Sequence, residues 1–303
     1  MKFEVTILGS SSATPVYNRN PTSQLLNCNE KFYLIDCGEG TQQQLMKFGI
    51  KASKIDHVFI SHLHGDHYFG LIGLLSSMHL NGRIKPIKIF APAALMEILD
   101  IQFKHSDTTL RYAIDFTPIT TEAPKVIFSN QDVEVETIVL NHRVPCTGFK
   151  FTEKKRLRKL VVEKLEEDKI PVEYYPLLKR GVNLDLPDGR VIYNVDYTVD
   201  SNEPKSYCYC SDTLADGTYF KSISGCTVLY HEATFLHELL SRADQTYHTT
   251  ALQAAELAVQ AGVDKLLIGH FSSRYKSLQP LLEEAASVFS NTELALEGVT
   301  YLI

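Results

Sequence analysis

Phe3, Val5 and Ile7 alternate with polar neighbours at the start of the chain, and this period of two predicts a strand over 3–8. Short β-branched or aromatic runs predict further strands over 31–36, 55–61, 86–90, 132–140, 146–151, 205–211, 226–231, 264–269 and 293–302. Between them, apolar residues at helical spacing predict amphipathic helices over 41–48, 67–79, 93–102, 249–261 and 277–289. Strands alternating with helices indicate an α/β layered fold. Residues 153–185 stand apart: "EKKRLRKLVVEKLEEDK" is charged and helix-like, and the stretch after it carries three prolines. This reads as an insertion that leaves the core, with a turn at Pro187-Asp188-Gly189 bringing the chain back. No repeat or low-complexity tract is present.

Composition narrows the class. With 303 residues and 44% apolar positions, the chain can bury a large core. No apolar run reaches the ~18–20 residues of a membrane span, and the opening segment lacks the pattern of a signal peptide. Six cysteines lie scattered without a C-x2-C pair, which points to reduced thiols and a cytoplasmic setting. Net charge is −6, yet residues 150–164 hold seven Lys/Arg against two Glu, a local net of +5. The rest of the chain is correspondingly acidic.

The most informative stretch is "FISHLHGDHYFGL", which places His62, His64, Asp66 and His67 in six positions as H-x-H-x-D-H. It follows a predicted strand, in a loop at the strand's carboxyl end, where α/β folds place ligand sites. Imidazole plus carboxylate suits zinc, with manganese or iron as alternatives. Four ligands in one loop exceed what a single open catalytic zinc takes from one segment, and indicate two ions. The remaining ligands are then sought at other strand ends. His142 follows "VETIVLN", Asp212 follows "SYCYCS", and His270 follows "KLLIG". A carboxylate such as Asp212 has two oxygens and can bridge two ions.

With these stretches in hand, the sequence resembles the metallo-β-lactamase superfamily and, within it, the ribonuclease Z family. The resemblance spans "LGSSSATPVYNRNPTS", "IDCGEGTQQQL", the histidine motif, "NHRVPCTGF", "LPDGRVI", "CSDT", "HEATF", "HTT" and "GHFSSRY". It implies a four-layer αββα sandwich over 1–303 with an inserted flexible arm, 153–185, that holds tRNA. It implies two Zn2+ per chain, with Mn2+ as an alternative. One ion takes His62, His64, His142 and Asp212, the other Asp66, His67, Asp212 and His270. It also implies a homodimer acting on precursor tRNA away from any membrane, cutting just 3′ of the discriminator base and leaving a tRNA 3′-hydroxyl. Two departures from the family pattern stand out. The arm lacks a Gly-Pro step, and H-T-T replaces the commoner H-S-T.

Residue chemistry supplies the remaining roles. Asp66 is placed to take a proton from the attacking water. His248, at a predicted helix start and outside the ligand set, is the general acid for the leaving oxygen, with Glu232 holding its ring. Asp36 is a partner for a metal-ligating histidine. Ser272 and Arg274 are placed to bind the phosphate, and Lys154, Lys155, Arg156, Arg158 and Lys159 the RNA backbone. Two other functions compete: a small-molecule phosphodiesterase or other hydrolase of the superfamily, and an RNA-binding protein without catalysis. The first has no need of a basic arm; the second has no need of a complete ligand set.

Overall fold

The computed structural model describes residues 2–303, which divide into two compact units, 2–152 with 206–303, and Glu153–Lys205. The larger unit contains two seven-stranded sheets. Across the first, the strands run Thr300–Leu302, Phe3–Gly9, Ser23–Cys28, Lys31–Ile35, Ile55–Phe59, Ile87–Pro92 and Ile114–Ile119. Across the second they run Thr292–Leu294, Lys265–Gly269, Val228–Glu232, Ser206–Cys210, Cys146–Glu153, Val133–Leu140 and Val126–Ser129.

The two-residue alternation of the strands explains the layering. Val5, Ile7, Tyr33, Ile35 and Phe59 from the first sheet meet Phe149, Phe151, Tyr207, Tyr209 and Tyr230 from the second in one buried cluster. The opposite face of the first sheet presents Leu8, Leu34 and Val58 to Leu45, Leu74, Leu75 and Leu95 of the covering helices. The outer face of the second sheet packs Cys208, Cys210, Leu229 and Ile268 against Ala254, Ala258 and Leu281. Helix, sheet, sheet and helix make the αββα sandwich. All six cysteines are free and buried, and among the described residues no helix is long and apolar enough to cross a membrane.

Two predicted elements differ in the structure, and some strands were not predicted. The helix expected over 67–79 is two pieces, Gly65–Tyr68 and Leu71–Leu80. The break lies at Gly70, which packs so tightly on the 37–38 turn that an added Cβ would fall 2.2 Å from the Gly38 oxygen. The strand expected over 293–302 divides between the sheets, and Gly298, at φ 83°, lies between the two pieces. Ser23–Cys28, Ile114–Ile119 and Val126–Ser129 are strands that the sequence did not predict. Ser23–Cys28 is buried on both faces, polar residues included, so it shows no alternation.

The smaller unit has its own core of Leu165, Ile170, Leu178, Leu184, Leu186 and Ile192. The helix-like basic stretch is helical only over Val162–Glu167. Lys159–Leu160 instead pairs with Thr198–Val199, so tertiary pairing overrides local propensity. The unit therefore continues past 185 to Lys205.

Candidate dinuclear metal centre

The chemistry gathers at carboxyl ends of strands. Asp36, the His62–His67 loop, His142, Asp212 and His270 each follow a strand by one to a few residues, and Glu232 ends one. Asp36, Asp212 and His270 hold left-handed backbone at φ 54°, 57° and 57°. Non-glycine residues adopt this region at a cost, and such strain concentrates where a side chain must be aimed.

The structure brings all seven sequence-derived ligand residues together. In one group, His64 Nδ1 lies 3.1 Å from His62 Nε2 and 3.2 Å from His142 Nε2. Asp212 Oδ2 lies 3.5 Å from His62 Nε2 and 3.7 Å from His142 Nε2. In the other group, Asp212 Oδ1 lies 3.3 Å from His67 Nε2 and 3.0 Å from His270 Nε2. Asp66 Oδ2 lies 3.6 Å from the same two nitrogens. The two Asp212 oxygens thus face different groups.

These separations fit a metal. Ligand atoms ~2.0–2.1 Å from a tetrahedral ion stand about 3.3 Å apart. The Nε2 atoms of His67 and His270 are buried yet make no aligned hydrogen bond, so their donors or lone pairs point at a shared space. The other ring nitrogens are fixed. His67 Nδ1 lies 2.7 Å from Asp36 Oδ2, and Asp36 also accepts from the Ser61 amide and hydroxyl and from Tyr209. His142 Nδ1 lies 3.0 Å from the Tyr247 carbonyl. His270 Nδ1 lies 3.0 Å from the Thr234 hydroxyl, and His62 Nδ1 3.0 Å from that of Ser61. Ser61, Thr234, Tyr209 and Tyr247 were not picked out from the sequence. Ser61, Tyr209 and Thr234 lie within "FISHLHGDHYFGL", "SYCYCS" and "HEATF", as neighbours of the residues those stretches were read for; Tyr247 lies in none of them.

Burial opposes charge at every member of the cluster, and neighbours decide the sign. Burial, then the positive field of His67, holds His62 well below the usual histidine range. For His67 and His270 burial also acts downward, but the carboxylates outweigh it, and His270 rises to about 10. Asp212 is held well below the carboxylate range because His270 and His67 outweigh its burial.

Beside the ligands, His248 Nδ1 lies 3.0 and 3.1 Å from the two Glu232 oxygens. Glu232 is fully buried and also accepts from the amides of Thr213 and Thr249 and the Thr234 hydroxyl. Burial pushes His248 down and Glu232 outweighs it, so the ring sits above its ordinary value. His248 follows the Leu240–Thr246 helix and precedes the Thr250 cap of the Ala251–Ala261 helix, so elements on both sides fix it. His231, in contrast, is spent on Tyr219 and the Glu232 carbonyl.

A cleft of about 670 Å³ opens over His64, Asp66, His142, Asp212, His248 and His270, with Ser272 and Arg274 in its wall. Arg274 lies over the Phe235 ring at 5.9 Å. The wall at Ser12–Pro15 belongs to a loop clamped by Glu297. That carboxylate accepts from the Ser10 amide at 3.2 Å and the Asn20 amide at 2.6 Å, the two ends of the loop. The Ala13 amide then donates to Asp66 Oδ2 at 2.8 Å.

In the smaller unit, the basic residues are partly occupied. Arg158 donates to Asp200 and Thr198, Arg156 lies 3.7 Å from Glu153, and Lys155 lies 3.9 Å from Glu203. Lys155, Arg156 and Lys159 remain exposed.

Comparisons with known proteins place this arrangement. The family model described as Anti-Pycsar protein Apyc1 matches residues 3–158, the part holding the histidine loop and His142. Ribonuclease Z of Bacteroides fragilis is 45% identical, over 98% of both chains. Ribonuclease Z of Cytophaga hutchinsonii is 47% identical, over 100% of this chain and 97% of its own. The crystal structure of human tRNase Z, short form, superposes with a TM-score of 0.72 at 26% identity, covering 99% of each chain. The chain belongs to the ribonuclease Z family, metal-dependent phosphodiester hydrolases of the metallo-β-lactamase fold.

Proposed function

We propose that this protein is an endoribonuclease that removes the 3′ trailer from precursor tRNA, cutting after the discriminator base. The observation that carries the reading is the acid pair His248–Glu232 set beside a complete seven-residue ligand cluster in one cleft. Relatives named ribonuclease Z match nearly the whole chain and support RNA as the substrate.

In this reading two zinc ions bind, one at His62, His64, His142 and Asp212, the other at Asp66, His67, Asp212 and His270. When bound, they would offset the phosphate's charge and ease deprotonation of the attacking water near neutral pH. The protein's own groups do the rest. Asp66, held by the Ala13 amide, accepts the proton of the attacking water. The bond between phosphorus and the 3′-oxygen breaks, and His248 donates a proton to that oxygen, leaving a tRNA 3′-hydroxyl and a trailer with a 5′-phosphate. Glu232 keeps the ring oriented and charged. Ser272 and Arg274 bind the phosphate from the cleft wall. Exposed cations of the 153–185 arm contact the tRNA backbone, and the enzyme works as a homodimer in the cytoplasm.

The test is to incubate purified protein with a precursor tRNA bearing a 3′ trailer, with and without chelator, and map the ends. A chelator-sensitive cut after the discriminator base supports the proposal. Hydrolysis of small phosphodiesters with no cut in the RNA would favour the small-molecule alternative.

A further inference from the structure

Two arginines in the cleft have no role in the chemistry above. Arg143 directly follows the ligand residue His142, and Arg242 lies on the Leu240–Thr246 helix; both line the cleft and both are exposed. Among the described residues neither guanidinium has an ion-pair or hydrogen-bond partner. They are also placed relative to the ligands. The residue after that helix, Tyr247, adopts left-handed backbone at φ 59°, and its carbonyl lies 3.0 Å from His142 Nδ1. The backbone at Tyr247 is strained in the conformation that ties this helix to a ligand.

The cleft also contains groups of a different character. Pro15, Pro21 and Phe69 line it, Phe69 with 61% of its surface exposed, and Glu39 adds a carboxylate. Glu39 disfavours a phosphate beside it, whereas the proline and phenylalanine rings suit a base. At about 670 Å³, the cleft is of the size that takes a drug-sized ligand, more than one phosphodiester group. Unpaired guanidiniums in a cleft focus positive field and hold phosphate oxygens in bidentate fashion.

We propose that Arg143 and Arg242 form a second anion subsite, which takes the phosphate next to the scissile one in an RNA strand. The subsite rests on the reading of the substrate as RNA. It makes the two arginines positioning residues that favour a polynucleotide over an isolated diester.

The test compares wild type, Arg143→Ala, Arg242→Ala, the double Ala variant and both Arg→Lys variants. Substrates are a trailer-bearing precursor tRNA, the same RNA with one neutral methylphosphonate linkage on either side of the cut, and bis(p-nitrophenyl) phosphate. Each Ala variant should raise KM for the RNA roughly tenfold, as removal of one charge-assisted hydrogen bond implies, with a much smaller change in kcat. The Lys variants should recover part of that loss. In wild type a neutral linkage at one flanking position should weaken binding by a similar factor, and the double Ala variant should be indifferent to it. The loss on the small diester should be several-fold smaller than on RNA. Equal losses on both substrates would overturn the subsite, since they would mean the arginines only support His142. Wild-type indifference to both neutral linkages, or sensitivity undiminished in the double variant, would also overturn it while leaving the RNA reading intact. Failure of wild type to cleave any RNA would overturn that reading and the subsite with it.

Discussion

The Nδ1 of His248 lies 3.0 Å from Oε1 of Glu232, a carboxylate with no exposed surface. The pairing engages one ring nitrogen and leaves the other for the cleft. It also raises the ring's proton affinity against the effect of burial. His248→Ala should therefore keep its metals but lose ~10²–10⁴-fold in rate on precursor tRNA, the usual contribution of a general acid. The loss should shrink sharply on bis(p-nitrophenyl) phosphate, whose leaving group needs little protonation. An equal loss on both substrates would place His248 in phosphate positioning or metal binding.

Asp36 is the anchor of His67. Its oxygens accept from Ser61, Tyr209 and His67, all at 2.6–2.8 Å. Asp36→Asn removes the charge and turns one acceptor into a donor. Loss of such a partner typically costs ~10–100-fold in metal affinity. Competition with a metal-binding dye would measure it, and an unchanged affinity would show that Asp36 serves only the fold.

His57 predicts how stability depends on pH. Its ring lies 5.0 Å from Tyr33 and 4.7 Å from Phe128, and its buried Nδ1 has no hydrogen-bond partner. Burial lowers it from 6.5 to about 4. Because the folded form resists the proton, the unfolded chain binds more protons between those values. This stability is fully present above 6.5 and declines as pH falls toward about 4. The shift corresponds to at most about 3 kcal/mol, less for the solvated part of the ring. Melting curves of wild type and His57→Phe across this range should diverge accordingly; parallel curves would rule out His57 as the source.

The basic residues of the smaller unit are not equivalent. Arg158 is bonded to Asp200 and Thr198, so its replacement should destabilise the unit. Replacing Lys155, Arg156 and Lys159, which are exposed, should instead flatten the salt dependence of tRNA binding by ~0.7–0.9 in log–log slope for each phosphate no longer neutralised. Titrations at several salt concentrations decide, and an unaltered slope would mean that these cations face solvent only.

Much of the site was legible because its chemistry sits at strand ends. A polar residue after an apolar run marks a place where the chain leaves the core, and that signal, read together with H-x-H-x-D-H, selects His142, Asp212 and His270 as candidate ligands, which the structure brings into the cluster. The groups that orient them carried no such mark. Tyr209 reads as a core aromatic and Ser61 as a loop residue, and Tyr247 acts through its carbonyl, which every residue has. Many elements with one face toward water were legible, but the half-exposed edge strands Ile114–Ile119 and Val126–Ser129 were not predicted. Nor was Ser23–Cys28, which lies buried on both faces, and the basic stretch was misread because a distant strand competes with helix propensity.

Thr300–Leu302 pairs with Phe3–Gly9, and Glu297 closes the loop that bears Ala13. During synthesis, which proceeds from the amino terminus, the histidine loop emerges early, but the Thr300–Leu302 strand of its sheet and the clamp on one wall of its cleft wait for residues 297–302. An organised cleft therefore depends on residues made after every ligand residue. A product ending before Glu297 would hold all seven ligand residues and still lack the carboxylate that sets the loop over Asp66.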